Sequence, residues 1–181
     1  MSTRKIIAAL FVSVGGVITA DHTPYIDAEV AGWMAAEAAE RDTLLLGRRT
    51  YQEMAGFWPK ADDSPITAQM NDTPKLVVST TLENVDEWQN STLITGDPVA
   101  ELNQVKQQPG KNIMLIGSAT LARSLLRDGV VDELVLIVFP AVAGDGKRLF
   151  EGGHDRIPLE LASTQVFGNG VIKLVYTPAG R

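Results

Sequence analysis

Two short segments of the sequence combine a glycine with groups that could bind a phosphate. Gly47-Arg48-Arg49-Thr50 follows one apolar stretch and offers two guanidinium groups and a hydroxyl, and Gly117-Ser118 follows another. A helical pattern begins after each glycine. Free backbone N–H groups and the helix dipole favour an anion at such a helix start. Together the two segments indicate a site for a phosphorylated ligand.

Each segment also has an alternative without a ligand. For Gly117-Ser118 the alternative is a tight turn and N-cap that bind nothing. For Arg48 and Arg49 it is pairing with nearby acids such as Glu53. Two cations at a helix N-terminus oppose the helix dipole unless an anion compensates them, so the arginines favour the ligand.

Two further polar turns follow predicted strands. Ser79-Thr80-Thr81 offers hydroxyl groups, and the loop from Ser13 to Thr19 carries the pair Gly15-Gly16. Paired glycines allow positive φ and close approach of the backbone to a ligand, although an ordinary turn has the same composition. Because the carboxyl ends of parallel strands meet at one edge of a sheet, we expect the turns after the strands to share that edge.

Composition excludes several classes of function. The chain has no cysteine, which excludes disulfides and thiolate chemistry and is compatible with a reducing cytoplasm, where we place the protein. Its net charge of −6 argues against non-specific nucleic-acid binding. No apolar run reaches the roughly 20 residues that span a bilayer, and the N-terminus is predicted to be a strand, not a signal peptide. For the two histidines, His22 and His154, we predict surface or loop positions, and we predict no metal site and no membrane partner.

The elements that would position these groups follow from hydrophobic periodicity. The clearest unit joins an apolar strand at 112–116, through a helix that starts near Ser118, to a second strand at 132–139. Gly129 follows the end of this helix. Strand, helix and strand in this order form a βαβ crossover.

The remaining segments complete the predicted fold. Further strands are predicted at 4–12, 43–46, 75–78, 92–95, 159–167 and 171–176, helices after Asp27, Gly47 and Asp97, and a mobile loop at 60–73. We therefore predict one domain over residues 1–181, with α/β/α layers around a mixed, mostly parallel sheet of about eight strands. The last two strands form an antiparallel hairpin. The strands at 4–12 and 112–116 are expected to be neighbours near the centre of the sheet, because both are apolar on every side.

The order and spacing of these motifs carry a family resemblance. With Gly47-Arg48-Arg49-Thr50, Ser79-Thr80-Thr81, Gly117-Ser118 and the Gly-Asp-Gly-Lys-Arg-Leu-Phe stretch at 144–150, the sequence resembles the dihydrofolate reductase-like superfamily. It is most similar to stand-alone proteins that resemble the C-terminal reductase domain of the bifunctional riboflavin-biosynthesis deaminase-reductase. The resemblance covers nearly the whole chain. It implies an NADPH-dependent reduction of a small-molecule substrate.

The resemblance also implies where the cofactor binds. The turn at Gly47 would lie on the pyrophosphate, the turn at Ser79 would receive the adenosine 2′-phosphate, and the turn at Gly117 would lie beside pyrophosphate and nicotinamide. An arginine of the Gly47 turn would supply charge to the 2′-phosphate. The loop Ser13–Thr19 would lie over the nicotinamide and the substrate. The residues expected at the NADPH site are Gly16, Val17, Gly47, Arg48, Arg49, Thr50, Ser79, Thr80, Thr81, Ile116, Gly117, Ser118, Ala119, Thr120 and Leu121.

Two departures from the family pattern concern catalysis. The loop often reads Ser-Leu-Asp-Gly in such proteins, and here it reads Ser13-Val14-Gly15-Gly16. Folate-reducing members carry an acid on the first helix, where this chain has Val30 or Ala31. Ser13 and Asp27 are the remaining candidates for a catalytic group. We therefore predict that the protein is not an efficient dihydrofolate reductase.

Three functions follow from this reasoning. The first is an NADPH-dependent reductase of a small heterocyclic or carbonyl substrate, with 5-amino-6-(5-phosphoribosylamino)uracil reductase-type activity included. The second is a nucleotide- or phosphosugar-binding protein of the same fold without redox activity, and the third is a dimeric structural or regulatory module with no ligand. We also predict a homodimer, because Val135, Ile137 and Phe139 crowd one strand and related reductase domains pair through that end of the sheet.

Overall fold

The computed structural model describes residues 4–151 and 156–180, which form eight strands and five α-helices. The strands are β1 (Ile6–Ser13), β2 (Arg41–Gly47), β3 (Lys75–Val78), β4 (Ser91–Ile94), β5 (Asn112–Ile116), β6 (Glu133–Phe139), β7 (Leu159–Val166) and β8 (Ile172–Pro178). The α-helices are α1 (Ala28–Ala39), α2 (Arg48–Phe57), α3 (Pro65–Asp72), α4 (Pro98–Lys106) and α5 (Ala119–Arg127). Short 3₁₀ turns occupy Thr23–Tyr25 and Trp58–Lys60.

The strands form one sheet in the order β4-β3-β2-β5-β1-β6-β8-β7. The first six run parallel, and β8 and β7 add an antiparallel hairpin at one end. β1 lies at the centre, where Ile6 pairs with Ile113 of β5 and Ile7 pairs with Glu133 of β6. The predicted sheet, its C-terminal hairpin and the central pairing of the first strand with 112–116 are confirmed.

Helices cover both faces of the sheet, as the predicted layers require. On one face, Leu102 of α4 and Leu125 of α5 pack against the side of β1 that carries Ile6. On the other face, α1, α2 and α3 cover the side that carries Ile7, which packs with Val30 of α1. Because both faces are covered, the central strands are apolar on both sides.

The carboxyl end of β1 projects beyond its neighbour β5. Ala9 pairs with Ile116, the last residue of β5, whereas Ser13 pairs with Phe139, the last residue of β6. The residues from 10 to 13 therefore extend past the end of β5. They form a wall beside the turn that follows β5, and Phe11 lies on the side of this wall that faces α1.

The mobile loop predicted at 60–73 is wrong, because this segment contains α3. Ser64 caps the helix by accepting a hydrogen bond from Thr67 N at 3.3 Å, and proline occupies the first turn. Met70 is buried against the cluster that contains Trp88, and Asn71 Oδ1 accepts a hydrogen bond from Trp88 Nε1 at 2.7 Å. The helix has only eight residues, so tertiary contacts and caps stabilise it more than its own periodicity does.

A buried lysine joins the end of α3 to the start of β3. Lys75 Nζ donates hydrogen bonds to the carbonyl oxygens of Asn71, Thr73 and Gln89 at 2.7–3.0 Å, and it lies 4.3 Å from the centre of a Trp88 ring. Burial lowers the pKa of this ammonium group to about 8. The side chain thus satisfies three backbone acceptors in the interior.

The structure changes the basis of the homodimer prediction. Val135, Ile137 and Phe139 are buried within the chain, in the cluster that contains Val30 of α1. The exposed apolar surface at this end of the sheet belongs instead to β7, the edge strand, where Val166 is 69% exposed.

Candidate functional site

The turns after β2 and β5 are in direct contact. Leu45 pairs with Leu115, so Gly47 and Gly117 each lie two residues further along at the same level of the sheet. A Cβ atom on Gly117 would lie 2.7 Å from Cγ2 and 2.9 Å from Oγ1 of Thr50. A Cβ atom on Gly47 would overlap the hydroxyl of Ser118. The two motifs that suggest phosphate binding in the sequence therefore form one surface at the carboxyl edge of the sheet.

The helices that start from these two turns have no side-chain caps. In α1, α3 and α4, the side chains of Asp27, Ser64 and Asp97 each accept a hydrogen bond from the first turn. No side chain caps α2 at Gly47 or α5 at Ser118. Since the first N–H groups of a helix have no partner within it, two adjacent uncapped helix starts present unsatisfied donors to one place. Such a place suits an anion.

The turn after β5 has an unusual backbone. Gly117 has a φ of +61°, and Ser118 follows with φ 48° and ψ 58°. In the part of the chain that the structure describes, Asn90 is the one other non-glycine residue with positive φ. The left-handed conformation costs an L-residue about 1–2 kcal/mol, and such strain clusters at functional sites. The left-handed conformation of Ser118 places the start of α5 beside Gly47 in the turn after β2.

The two arginines of the first turn of α2 are available to a ligand. Arg48 and Arg49 are both exposed. Among residues 4–151 and 156–180, neither forms an ion pair, with Glu53 or with any other acid. The pairing with nearby acids that was the alternative for these arginines is therefore not found.

The third polar turn lies beside the first. Gly47 pairs with Val78, so Ser79 leaves the sheet next to Arg48. Ser79 is buried, and its Oγ accepts hydrogen bonds from Thr81 N at 3.1 Å and Leu82 N at 3.0 Å. The Ser79 hydroxyl, which was expected to bind a 2′-phosphate, therefore accepts hydrogen bonds within its own turn. Thr80 and Thr81 are exposed, and Thr81 Oγ1 lies 3.5 Å from Ser79 Oγ.

The first turn of α5 adds further groups to this edge. Ala119 is buried, Ile116 and Leu121 are partly buried, and Thr120 is exposed. Thr120 Oγ1 lies 3.4 Å from both Arg123 Nη2 and Lys147 Nζ. Two cations therefore converge on one exposed hydroxyl.

The loop after β1 is held by the segment 147–149. Ile18 N donates to Lys147 O at 2.8 Å, and Leu149 N donates to Gly16 O at 2.9 Å. The Arg148 guanidinium donates to the carbonyl oxygen of Gly15. Within the loop, Ser13 is buried and its Oγ accepts a hydrogen bond from Val17 N at 3.1 Å, so this candidate catalytic hydroxyl closes the turn, and Val17 is itself buried.

Asp27 stands apart from the three turns. It caps α1 by accepting a hydrogen bond from Val30 N at 3.0 Å. Val30 is fully buried and Ala31 is exposed, so neither position that was aligned with the acid of folate-reducing members supplies a carboxyl group. The structure does not bring Asp27 together with the candidate cofactor residues.

His22 lies in the loop before α1, which is one of the two kinds of position predicted for it, and it is buried there, at only 8% exposure. Its ring stacks on Phe139 with ring centres 4.5 Å apart and an angle of 11° between the planes. Burial lowers the pKa of His22 against the opposing effect of Asp21, so the imidazole is neutral at pH 7. His154 lies outside the described residues.

The residues that the structure describes contain no group of three or more histidine, aspartate and glutamate side chains that could hold a metal ion. None of their helices is long and apolar enough to cross a membrane.

Comparisons with known proteins give consistent results. The model of the RibD C-terminal domain family matches residues 4–173. The uncharacterized protein YyaP of Bacillus subtilis is 33% identical over 139 residues, which are 75% of this chain and 73% of that protein.

Solved structures share the fold. A putative riboflavin biosynthesis protein from Shewanella sp. PV-4 has a TM-score of 0.70 at 20% identity, and the match covers 96% of this chain and 98% of that one. The diaminohydroxyphosphoribosylaminopyrimidine deaminase/5-amino-6-(5-phosphoribosylamino)uracil reductase of Thermotoga maritima has a TM-score of 0.69 at 12% identity. That match covers 98% of this chain and 57% of the longer Thermotoga chain.

Proposed function

The chain belongs to the RibD C-terminal domain family, and on that premise we propose that it is an NADPH-dependent reductase of a small heterocyclic substrate. The Thermotoga neighbour is a 5-amino-6-(5-phosphoribosylamino)uracil reductase, and a pyrimidine reductase-like protein of Corynebacterium diphtheriae shares the fold with a TM-score of 0.68. We extend this substrate class, an amino-substituted uracil, to the present chain.

One observation carries the proposal. Among the five α-helices that the structure describes, α2 and α5 are the two without side-chain caps, and their first turns touch through Thr50 and Gly117. A pyrophosphate at this point would accept hydrogen bonds from both helix starts. The carboxyl edge is also where ligands bind in open α/β sheets.

The chain offers separate groups for the two ends of the cofactor. Arg48 and Arg49 supply positive charge beside the turn that holds Thr80 and Thr81, which suits a 2′-phosphate. The wall formed by the overhanging end of β1 bounds the opposite end of the site. When bound, NADPH supplies the hydride, and the protein positions donor and acceptor and excludes water.

A binding experiment followed by an activity assay tests the proposal. NADPH should raise the midpoint of thermal unfolding more than NADH or AMP at equal concentration, because it alone fills the 2′-phosphate and pyrophosphate positions together. Oxidation of NADPH should then be measured with amino-substituted uracils and with simple carbonyl compounds. Failure of NADPH to shift the midpoint would refute the proposed function.

A second candidate function rests on the lack of a carboxyl group at positions 30 and 31, which align with the acid of folate-reducing members. Val30 and Ala31 occupy these positions, and the Asp27 carboxylate caps the helix. A chain that binds a nucleotide or a phosphosugar without reducing a substrate needs no such group. Stabilisation by NADPH without its oxidation in the substrate panel would favour this second function.

We further propose that two copies associate through β7. This strand is the edge of the sheet, and seven of its eight residues are exposed. Leu161 and Val166 place apolar surface there, at 54% and 69% exposure. An exposed apolar edge strand is a template for pairing with another strand, so its burial by a second copy would remove an aggregation risk.

A further inference from the structure

His22 lies in an aromatic enclosure at the carboxyl ends of β1 and β6. Its ring stacks on Phe139, and it meets Phe11 edge-on with ring centres 6.4 Å apart. The ring of Tyr25 lies 5.8 Å from that of Phe139 and completes the enclosure. The imidazole therefore contacts the rings of Phe11 and Phe139, and Phe139 in turn contacts the ring of Tyr25.

One nitrogen of this imidazole has no partner. His22 Nε2 is fully buried and forms no hydrogen bond. Buried polar atoms are almost always paired, so an orphan of this kind requires an explanation. The carboxylate of the neighbouring Asp21 does not provide one, since it accepts a hydrogen bond from Thr23 N. An absent ligand that supplies the missing partner is one explanation.

The enclosure lies at the same carboxyl edge of the sheet as the site proposed for the cofactor. Phe11 lies on the face of the sheet that α1 and α2 cover, and Ala9 contacts the clusters beneath both helices. Thr50 of α2, which touches Gly117, belongs to the same side. From β5 across β1 to β6 is two strand spacings, about 10 Å. A ligand seated at Gly117 and extending along this edge by about that distance reaches the level of Phe11 and of His22, which stacks on Phe139 at the end of β6.

We propose that His22 binds the substrate of the reductase through Nε2, with the substrate ring lying flat among the aromatic side chains of the enclosure. This inference rests on the proposed function and deepens it. The ligand that fits is a planar, amino- or oxo-substituted heterocycle, because it combines a stacking face with a polar atom at its edge. The hydrogen bond fixes the orientation of the ring beside the hydride donor.

The composition of the chain allows a direct test. It has two histidines, so His154→Phe leaves His22 as the only source of imidazole signals in a ¹⁵N NMR spectrum. The probe is 5,6-diaminouracil, added with and without NADP⁺. We expect the His22 Nε2 signal to move on titration with the probe. A signal that stays unchanged while the probe binds overturns the inference, as does failure of the probe to bind in either condition.

A matched pair of variants tests the role in binding. His22→Phe keeps a ring stacked on Phe139 and removes both nitrogens, whereas His22→Ala also removes the ring. We expect His22→Phe to weaken diaminouracil binding about tenfold, the loss of roughly one hydrogen bond, and to leave NADPH binding within twofold of the parent. Equal diaminouracil affinity in parent and His22→Phe would overturn the inference. If the parent does not bind NADPH, the proposed function is refuted instead. The diaminouracil titration without NADP⁺ tests the role of His22 independently of cofactor binding, so the two failures can be told apart.

Discussion

Gly117 lies against Thr50, so closely that a Cβ atom on the glycine would be 2.7 Å from the threonine methyl group. This contact fixes the distance between the starts of α2 and α5. Any substitution of Gly117 is unfavourable on two grounds, because the added Cβ would clash with Thr50 and because a φ of +61° is costly for a residue with a side chain.

Gly117→Ala is therefore expected to lower the free energy of unfolding by about 1–3 kcal/mol, through backbone strain and the clash with Thr50. NADPH binding should weaken further, since the two helix starts must move apart. Gly32→Ala is the control, because Gly32 lies within α1 with no atom near the added methyl group. That change should stabilise the protein by about 0.5–1 kcal/mol. Chemical denaturation and NADPH titration measure both effects, and equal stability of the two variants would contradict the prediction.

Arg48→Ala or Arg49→Ala should narrow the preference for NADPH over NADH. A charge-assisted hydrogen bond contributes about 1.5–3 kcal/mol, so the affinity ratio should fall roughly tenfold to a hundredfold. Arg127→Ala is the matched control, since this exposed arginine pairs with Asp128 at the far end of α5. The dissociation constants of the parent and of each variant for NADPH and NADH test this prediction. If the parent binds NADPH and NADH equally, or neither variant changes the ratio, the 2′-phosphate lies elsewhere.

Turnover of dihydrofolate should be slow, by about 10²–10⁴-fold relative to enzymes with a placed acid, because no carboxyl group occupies position 30 or 31. Asp27→Asn should leave that slow rate unchanged, since the carboxylate caps α1 and stands apart from the cofactor turns. Its expected effect is on stability, with a loss of less than about 1 kcal/mol because asparagine also caps helices. A large fall in turnover for Asp27→Asn, with the fold intact, would identify it as the acid.

Lys75→Met should lower the free energy of unfolding by about 2–4 kcal/mol, because it leaves the carbonyl oxygens of Asn71, Thr73 and Gln89 without their donor. Lys5→Met provides the comparison, as Lys5 is more than half exposed and forms an ion pair with Glu133 at the surface. Its cost should be below about 1 kcal/mol. Urea denaturation of the two variants measures the difference. Similar losses of unfolding free energy would show that the buried hydrogen bonds of Lys75 do not contribute more to stability than an exposed ion pair does.

Sedimentation at micromolar concentration should give twice the chain mass of 19.5 kDa. Leu161→Glu and Val166→Glu together should restore the single-chain mass, because they place charge on the edge strand. Val142→Glu, which alters an 85% exposed apolar residue away from β7, should leave the mass doubled. A parent that sediments as a single chain would refute the proposed association.

Predictions from the sequence were most accurate for features of the fold that depend on local periodicity. The strand 112–116 matches β5 to the residue, because a short apolar run between breakers leaves little freedom in its bounds. The shared edge of the Gly47, Ser79 and Gly117 turns also followed from strand order alone. The bounds of each strand are set by residues close together in the chain, and the shared edge follows once these strands pair in parallel.

What the sequence did not reveal depends on distant contacts. The burial of His22 is caused by Phe139, which is far away in sequence and becomes its neighbour only when β6 pairs with β1. Ser79 looked like a free hydroxyl because nothing in the sequence shows that the backbone turns back to donate to it. α3 was missed because its polar composition and eight-residue length resemble a loop.

The central position of β1 has a consequence for biosynthesis. Its first hydrogen-bond partners come late: 107 residues separate Lys5 from Asn112, and 126 separate Ile6 from Asp132. At 5–20 residues per second, a ribosome exposes the apolar first strand on the order of 10 s before either neighbouring strand exists. β2, β3 and β4 can pair with one another earlier. β1 can take its place in the sheet only after β5 and β6 have been synthesised, because it lies between them. Nascent chains should therefore need protection of their first segment, and folding should be slow because its central pairing closes the longest loops.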